Sequence, residues 1–201
     1  MKLNQRLKLL SESATTQLNA QAQKLKFQGR DIINLTVGEL DFDTPLFIQD
    51  AIKNKLYLNK YTPTLGLREL RQEIARKIKK EYYWSVSEEN IGVTAGAKQA
   101  LFAIFQIILN PSEEVIIPMP AWVSYEHQVR LANGQPIFAS LKSDFDLDIQ
   151  AIKNKISSKT KAIILNSPHN PTGKRLKGEK RPSHPSSVPS GQRLRHQLRV
   201  S

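Results

Sequence analysis

The chain has 201 residues, of which 39% are hydrophobic and 24% are charged, a composition typical of a soluble globular protein with one substantial domain. It has no cysteine, which excludes disulfides, thiolate metal sites and cysteine nucleophiles, and its four histidines lack the spacing of a zinc site. No apolar run approaches the roughly 20 residues that span a bilayer, and no signal-peptide pattern opens the chain. We therefore expect a cytoplasmic protein without a membrane role.

The net charge of +12 is concentrated near the carboxyl terminus. Residues 174–201 contain eight Lys and Arg against one Glu, so they carry +7 of that charge. This segment is poor in large apolar residues and rich in Pro and Ser, and we predict that residues 175–201 are disordered. One alternative function is a basic tail that binds nucleic acid or an acidic partner. We do not favour nucleic acid, because the tail has no Phe, Tyr or Trp for base stacking.

Hydrophobic periodicity predicts alternating helices and strands along most of the chain. The predicted helices cover residues 11–28, 46–58, 67–78, 97–109, 122–132 and 149–156, and the predicted strands cover residues 31–37, 90–94, 114–117, 136–139 and 161–165. Strands separated by helices imply βαβ units with right-handed crossovers. The sequence thus predicts an α/β fold, with a mostly parallel sheet, helices on both faces and an N-terminal helical arm.

Loops at the ends of the predicted strands carry residues suited to a planar, phosphorylated ligand. The turn at residues 94–98 (TAGAK) has small residues where a helix begins, so its amides would form an anion cup, although small residues also suit close packing. Trp122 offers a flat face for an aromatic ring, or else fills the core at a helix start. In the loop at residues 166–173 (NSPHNPTG) the asparagine amides could bond a ring oxygen or satisfy the local backbone. The Tyr61 hydroxyl could meet a phosphate or simply lie on the surface.

Taken together, these segments resemble the pyridoxal-phosphate-dependent aminotransferases of fold type I, in the class I and II group that includes prokaryotic aspartate aminotransferases. The resemblance covers residues 1–174 and rests on motifs that occur in the family's order. The matching runs are LTVGELDFDTP (35–45), KYTPTLGLRELR (60–71), VTAGAKQALF (93–102), PMPAWVSYEH (118–127) and NSPHNPTGK (166–174).

The resemblance assigns roles to several residues around pyridoxal phosphate. Gly96, Ala97 and Lys98 would cradle the cofactor phosphate with their backbone amides. Ala97 stands where the family commonly has glycine or serine, a departure that an amide donor tolerates. Trp122 would stack on the pyridine ring, and Asn170 would hydrogen-bond its 3-oxygen. Both side chains would also contact the substrate.

Other implied features concern the substrate and the subunit arrangement. Gly38 would lie near the substrate carboxylate, and Leu40 replaces the proline that usually follows this Gly-Glu pair. Tyr61 would reach the phosphate bound by the partner subunit, which implies a homodimer. The bonds that precede Pro120 and Pro171 can be cis in the family.

The family's catalytic lysine, the acid that holds the pyridine nitrogen and the arginine that clamps the α-carboxylate all follow NPTG, in segments that this chain lacks. Lys174 matches the position just after the loop and is no substitute. We therefore assign no catalytic residue and expect an inactive amino-terminal portion of an aminotransferase, with weak or absent cofactor binding. The expected ancestral substrates are an amino acid, aspartate above all, and a 2-oxo acid.

The resemblance also predicts how the chain divides into domains. Residues 1–45 would form the arm and part of a small domain, and residues 46–174 a partial cofactor-binding large domain. Residues 175–201 would be foreign to the family, as expected of a tail translated out of frame. Another fold type I enzyme, such as a carbon-sulfur lyase, is an alternative, because residues that choose the substrate would lie beyond the matched segment.

Overall fold

The computed structural model describes residues 14–36, 38, 40 and 42–176. The described residues fall into two compact units that divide between Thr62 and Pro63, whereas the predicted domain boundary at residues 45 and 46 stays a prediction. The helices are α1 (Ala14–Phe27), α2 (Leu46–Lys53), α3 (Arg68–Tyr82), α4 (Gly96–Ile108), α5 (Ser124–Leu131) and α6 (Ile149–Lys153), and the strands are β1 (Glu114–Met119), β2 (Gln135–Ser140) and β3 (Thr160–Ile163).

The three strands form a parallel sheet in the order β2-β1-β3, so β1 lies at the centre. Ile116 of β1 pairs with Ile137 on one side and Ile163 on the other, and the amide of Ile164 donates to Ile116 with an N···O distance of 3.0 Å. The chain leaves β1 through α5 to reach β2, and leaves β2 through α6 to reach β3. The predicted α/β fold with a parallel sheet is therefore confirmed.

The alternation of side chains along β1 divides the core between the two faces of the sheet. Val115 and Ile117 point to one face, where they pack with buried residues of α4 and α5 and their flanks. Ile116 points to the other face and packs with Ala139 and with Ile152 of α6. Both faces are thus covered, as the continuous apolar run of this strand predicts.

Two predicted strands are wrong. Residues 30–35 have no regular structure, and Ile33 and Leu35 are 86% and 88% exposed. The side chain of Asn34 accepts a hydrogen bond from the amide of Thr36, which gives the backbone a local partner in place of a sheet ladder. Val37, which the predicted strand includes, lies outside the described residues.

The second wrong strand is the predicted one at residues 90–94. A 3-10 turn, Glu88–Asn90, stands at its start, and the hydroxyl oxygen of Ser87 caps that turn by accepting from the amide of Glu89. Arg71 holds the other side of the turn, since its guanidinium donates to the carbonyl of Glu88 at 2.8 Å. A single sheet-like hydrogen bond remains in this segment, from the amide of Val93 to the carbonyl of Leu65.

The helices agree in type with the prediction but differ in length. Gly29 follows α1 with a φ of +78°, as its predicted role at the end of this helix requires, while the predicted cap at Ser11 lies outside the described residues. The helix predicted over residues 46–58 ends at Lys53, and the one predicted over residues 149–156 ends at Lys153. Across the described ranges, no helix is long and apolar enough to cross a membrane. The predicted tail lies almost wholly beyond them, since description stops at residue 176.

Candidate functional site

The loops that follow β1 and β3 lie side by side, because these two strands are neighbours in a parallel sheet. One small cavity beside the sheet is lined by Pro118 near the end of β1, by Ala121 from the loop after it, and by Asn166 and His169 from the loop after β3. Two of the predicted ligand-binding loops therefore meet at the carboxyl edge of the strands.

The amino terminus of α4 is shaped by Gly96, whose φ is +80°. A Cβ atom at this position would meet nothing within 4 Å, so the backbone conformation alone requires glycine. The amide of Gly96 already donates to the carbonyl of Thr94 at 2.8 Å, and the amide of Ala95 donates to the Gln99 side chain at 2.6 Å. The next amides, of residues 97 and 98, belong to the first helical turn and have no intrahelical acceptor. They are the donors best suited to an anion here.

Trp122 contacts the start of α4 from the loop after β1. The ammonium of Lys98 lies 5.0 Å from the centroid of the Trp122 ring, and the ring of Tyr125 meets it edge to face at 5.3 Å. Gln128 of α5 contacts the first turn of α4, because its Nε2 donates to the carbonyl of Lys98 at 2.8 Å. Burial raises the pKa of the Tyr125 hydroxyl. Trp122 itself is half-buried against the core, so it serves packing and also offers part of its ring to the site.

The loop after β3 is closed by its own hydrogen bonds. The amide of His169 donates to the carbonyl of Lys174 at 2.8 Å, and the amide of Gly173 donates back to the carbonyl of His169 at 2.7 Å. His169 Nδ1 and the Thr172 hydroxyl lie 2.9 Å apart, and burial lowers the pKa of the imidazole. Asn170 is exposed at the tip, and its side-chain amide makes no hydrogen bond within the described part of the chain. A ligand could therefore use both of its polar atoms.

Sequence reasoning missed the groups that hold this loop. Lys174 Nζ lies 3.4 Å from Asp144 Oδ2 and 3.8 Å from Asp146 Oδ1, in the turn after β2. Lys174 lies 30 positions from Asp144 along the chain, so neither periodicity nor a local motif predicts the contact. The acidic spacing in SDFDLD is the only signal, and it is nonspecific.

The two remaining predicted residues lie in the other compact unit, which ends at Thr62. Tyr61 is fully exposed, and a Cβ atom on Gly38 would meet nothing within 4 Å. Their roles stay predictions. The bonds that precede Pro120 and Pro171 are both cis, as the resemblance led us to expect, and the bond before Pro168 is cis as well.

Comparison with known proteins gives a consistent result. Residues 30–180 match the family aminotransferase class I and II. The chain is 45% identical over 177 residues to the aspartate aminotransferase of Bacillus subtilis (strain 168), covering 86% of this chain and 45% of that protein. It is 43% identical over 175 residues to a probable aspartate/prephenate aminotransferase of Thermus aquaticus, covering 85% of this chain and 46% of that protein.

The fold agrees with solved structures of the same kind. The aspartate aminotransferase of Thermus thermophilus with maleate superposes with a TM-score of 0.84 at 41% identity, covering 89% of this chain and 48% of that one. The chain spans less than half of each of these relatives. The family match extends over most of the chain, including all the loops of the candidate site. The chain belongs to the class I and II aminotransferases, with the fold type I architecture.

Proposed function

We propose that this chain supplies the phosphate and ring contacts of a pyridoxal phosphate site in an aminotransferase that moves an amino group between aspartate and a 2-oxo acid. The observation that carries the proposal is the contact between Lys98, in the first turn of α4, and the ring of Trp122. It joins an anion-binding helix terminus to a flat aromatic face. A phosphorylated aromatic ring needs both features at once.

The residues present fit pyridoxal phosphate. The open amides of residues 97 and 98 suit the phosphate, and the space beside Gly96 leaves room for it, because nothing lies within 4 Å of a Cβ atom there. Half-buried Trp122 suits the pyridine ring, and the exposed amide of Asn170 suits a ring oxygen. When bound, the cofactor supplies the electron sink that amino-group transfer requires. The protein groups named here bind and orient it.

The choice of aspartate rests on the relatives. The matched protein of Bacillus subtilis is an aspartate aminotransferase, and the Thermus thermophilus structure holds maleate, a dicarboxylate. We therefore propose a dicarboxylic substrate, with Gly38 near one of its carboxylates. We also propose that the protein works in the cytoplasm as a homodimer in which Tyr61 reaches the phosphate of the partner subunit.

A fluorescence titration tests the binding site. Trp84 and Trp122 are the two indoles of the chain, so Trp84→Phe leaves Trp122 as the reporter. Pyridoxine 5'-phosphate is a suitable probe, because it lacks the aldehyde that reacts with surface lysines. We expect weak but saturable quenching by this probe, at least about tenfold weaker binding of unphosphorylated pyridoxine, and competition by inorganic phosphate. Equal affinity for both probes would exclude the proposed phosphate site.

A chimera tests the reaction. Residues 1–174 would replace the matching segment of the Bacillus subtilis relative, and transamination of aspartate with a 2-oxo acid would be measured. We expect the chimera to transaminate aspartate. A chimera that folds and binds the cofactor but does not transaminate aspartate would contradict the proposed substrate.

A further inference from the structure

We propose that Lys174 and the acidic turn after β2 form a clamp that positions Asn170. The clamp consists of the ammonium of Lys174 and the carboxylates of Asp144 and Asp146, which approach it to 3.4 and 3.8 Å. Lys174 is a positioning residue in this arrangement, because it acts on the ligand through the loop and not by contact. The consequence for ligand binding rests on the proposed function, whereas the clamp itself can be tested without any ligand.

The tip of the loop is one hydrogen-bonded segment. Two backbone hydrogen bonds join His169 to Gly173 and Lys174, at 2.7 and 2.8 Å. The Thr172 hydroxyl adds contacts to the His169 ring at 2.9 Å and to the amide of Lys174 at 3.3 Å. Asn170 lies inside this closed segment. Its orientation therefore depends on how the whole segment is fixed to the domain.

The turn after β2 contacts this segment from outside. Phe145 and Leu147 of this turn line the same small cavity as His169 and Leu176. Apolar contact of this kind has little directional preference. The ion pair of Lys174 adds a directional tie at the end of the segment, four positions from Asn170.

The carboxylate of Asp144 makes two contacts. Its Oδ1 accepts a hydrogen bond from the amide of Asp146 at 3.1 Å, which fixes its own turn, and its Oδ2 faces Lys174. The side chain of Asp146 is only 9% exposed and that of Lys174 is 27% exposed. The pair of Lys174 with Asp146 is therefore screened less than a surface pair, whereas Asp144, whose side chain is 49% exposed, makes the shorter contact. Together the two carboxylates tie Lys174 to the turn after β2.

Backbone relaxation tests the clamp directly. We expect Lys174→Met, which keeps the aliphatic stem and removes the charge, to lower the heteronuclear NOE of the Asn170 and Gly173 amides from values typical of ordered backbone to values typical of mobile loops. Asp144→Asn is the matched partner variant, since it keeps an oxygen to accept from the Asp146 amide while losing the charge. The double variant should add little to either single variant.

Two controls separate the clamp from general loss of stability. Lys174→Arg keeps the charge, so the heteronuclear NOE of the Asn170 and Gly173 amides should equal that of the unaltered protein. Lys161→Met removes another ion pair of the same sheet, between Lys161 and Glu113 at 3.6 Å, and should leave residues 169–174 unchanged. Unchanged NOE values in both Lys174→Met and Asp144→Asn would overturn the clamp. An equal decrease of the NOE in Lys161→Met would also overturn the clamp, because it would mean that loss of any ion pair in this sheet loosens the loop.

A ligand comparison then tests whether the clamp acts through Asn170. Pyridoxine 5'-phosphate and its 3-deoxy analogue differ by the oxygen that Asn170 would bond, so the intact chain should prefer the former by about fivefold, the effect of one neutral hydrogen bond. Lys174→Met should abolish most of this preference, and Lys174→Arg should keep it. If Lys174→Met lowers the heteronuclear NOE but the intact chain binds both ligands equally, the clamp is supported and the proposed contact of Asn170 with the cofactor is contradicted. A preference that survives Lys174→Met would overturn the positioning role.

Discussion

The ammonium of Lys98 lies over the ring of Trp122, 5.0 Å from its centroid. Lys98 is exposed, and contacts of this kind at exposed sites are worth about 0.5–1 kcal/mol. We expect Lys98→Met to lower the free energy of unfolding by about that amount, because methionine keeps the chain length and loses the charge. Urea unfolding followed by circular dichroism measures the change without relying on the indole itself.

Lys77 of α3 provides the control for this experiment. It is also exposed and helical, and within the described residues it takes part in no ion pair and no contact with an aromatic ring. Lys77→Met should therefore change the free energy of unfolding by less than about 0.5 kcal/mol. Equal losses in both variants would mean that the charge over Trp122 contributes nothing specific.

Gly66 should not tolerate a side chain. Its φ is +91°, and a Cβ atom would lie 2.7 Å from the Cβ of Val93, which is too close for real atoms. We expect Gly66→Ala to destabilise the protein by about 1–3 kcal/mol, since both the backbone conformation and the contact oppose the methyl group. Gly92→Ala is the matched control, because its Cβ atom would meet only Leu65, at an ordinary 3.8 Å. A small effect of Gly66→Ala would show that the loop shifts freely.

The sequence predicts the parts of this fold that depend on repeating patterns. The apolar run of β1 predicts a strand buried on both faces, and the spacing of Leu70, Ile74 and Ile78 predicts α3. The segment at residues 90–94 has the composition of a strand, but it does not form one. A capped 3-10 turn stands at its start, and the Arg71 guanidinium donates to the carbonyl of Glu88 in that turn. Long-range polar contacts of this kind leave no periodic signal.

The residues of the candidate site likewise differ in whether the sequence could predict them. The turn at residues 94–98 and Trp122 could be proposed as site residues because their motifs occur in the family's order. The cation over Trp122 and the clamp on Lys174 could not, because each joins side chains far apart in sequence. Asn170 could be proposed as a contact, but the proposed control of its orientation involves Asp144, which lies in a different loop and contacts Lys174.

Ile116 should contribute more to stability than any exposed isoleucine. It is completely buried in the central strand, where it packs against Ala139 and Ile152. We expect Ile116→Ala to cost about 2–5 kcal/mol, since it removes buried apolar area and leaves a cavity. Ile107 of α4 is 82% exposed, so Ile107→Ala should change the free energy of unfolding by less than about 0.5 kcal/mol. Similar values for both variants in urea unfolding would contradict the assignment of the core.

His169 should make the stability of the protein depend on pH in the mildly acidic range. Burial lowers the pKa of its imidazole in the folded state, so the unfolded chain binds a proton more readily than the folded one. Stability from the neutral ring is therefore fully present above the unfolded pKa of about 6.5 and is lost as the pH falls through the folded pKa.

The test is to measure the free energy of unfolding at several pH values between about 7.5 and 5 for the unaltered protein and for His169→Asn. Asparagine places a polar atom near the position of Nδ1, which lies 2.9 Å from the Thr172 hydroxyl, but it does not titrate. We expect the slope of stability against pH to be smaller in His169→Asn. An unchanged slope would mean that other groups cause the acid sensitivity, because a burial penalty on this imidazole must disappear when the imidazole is removed.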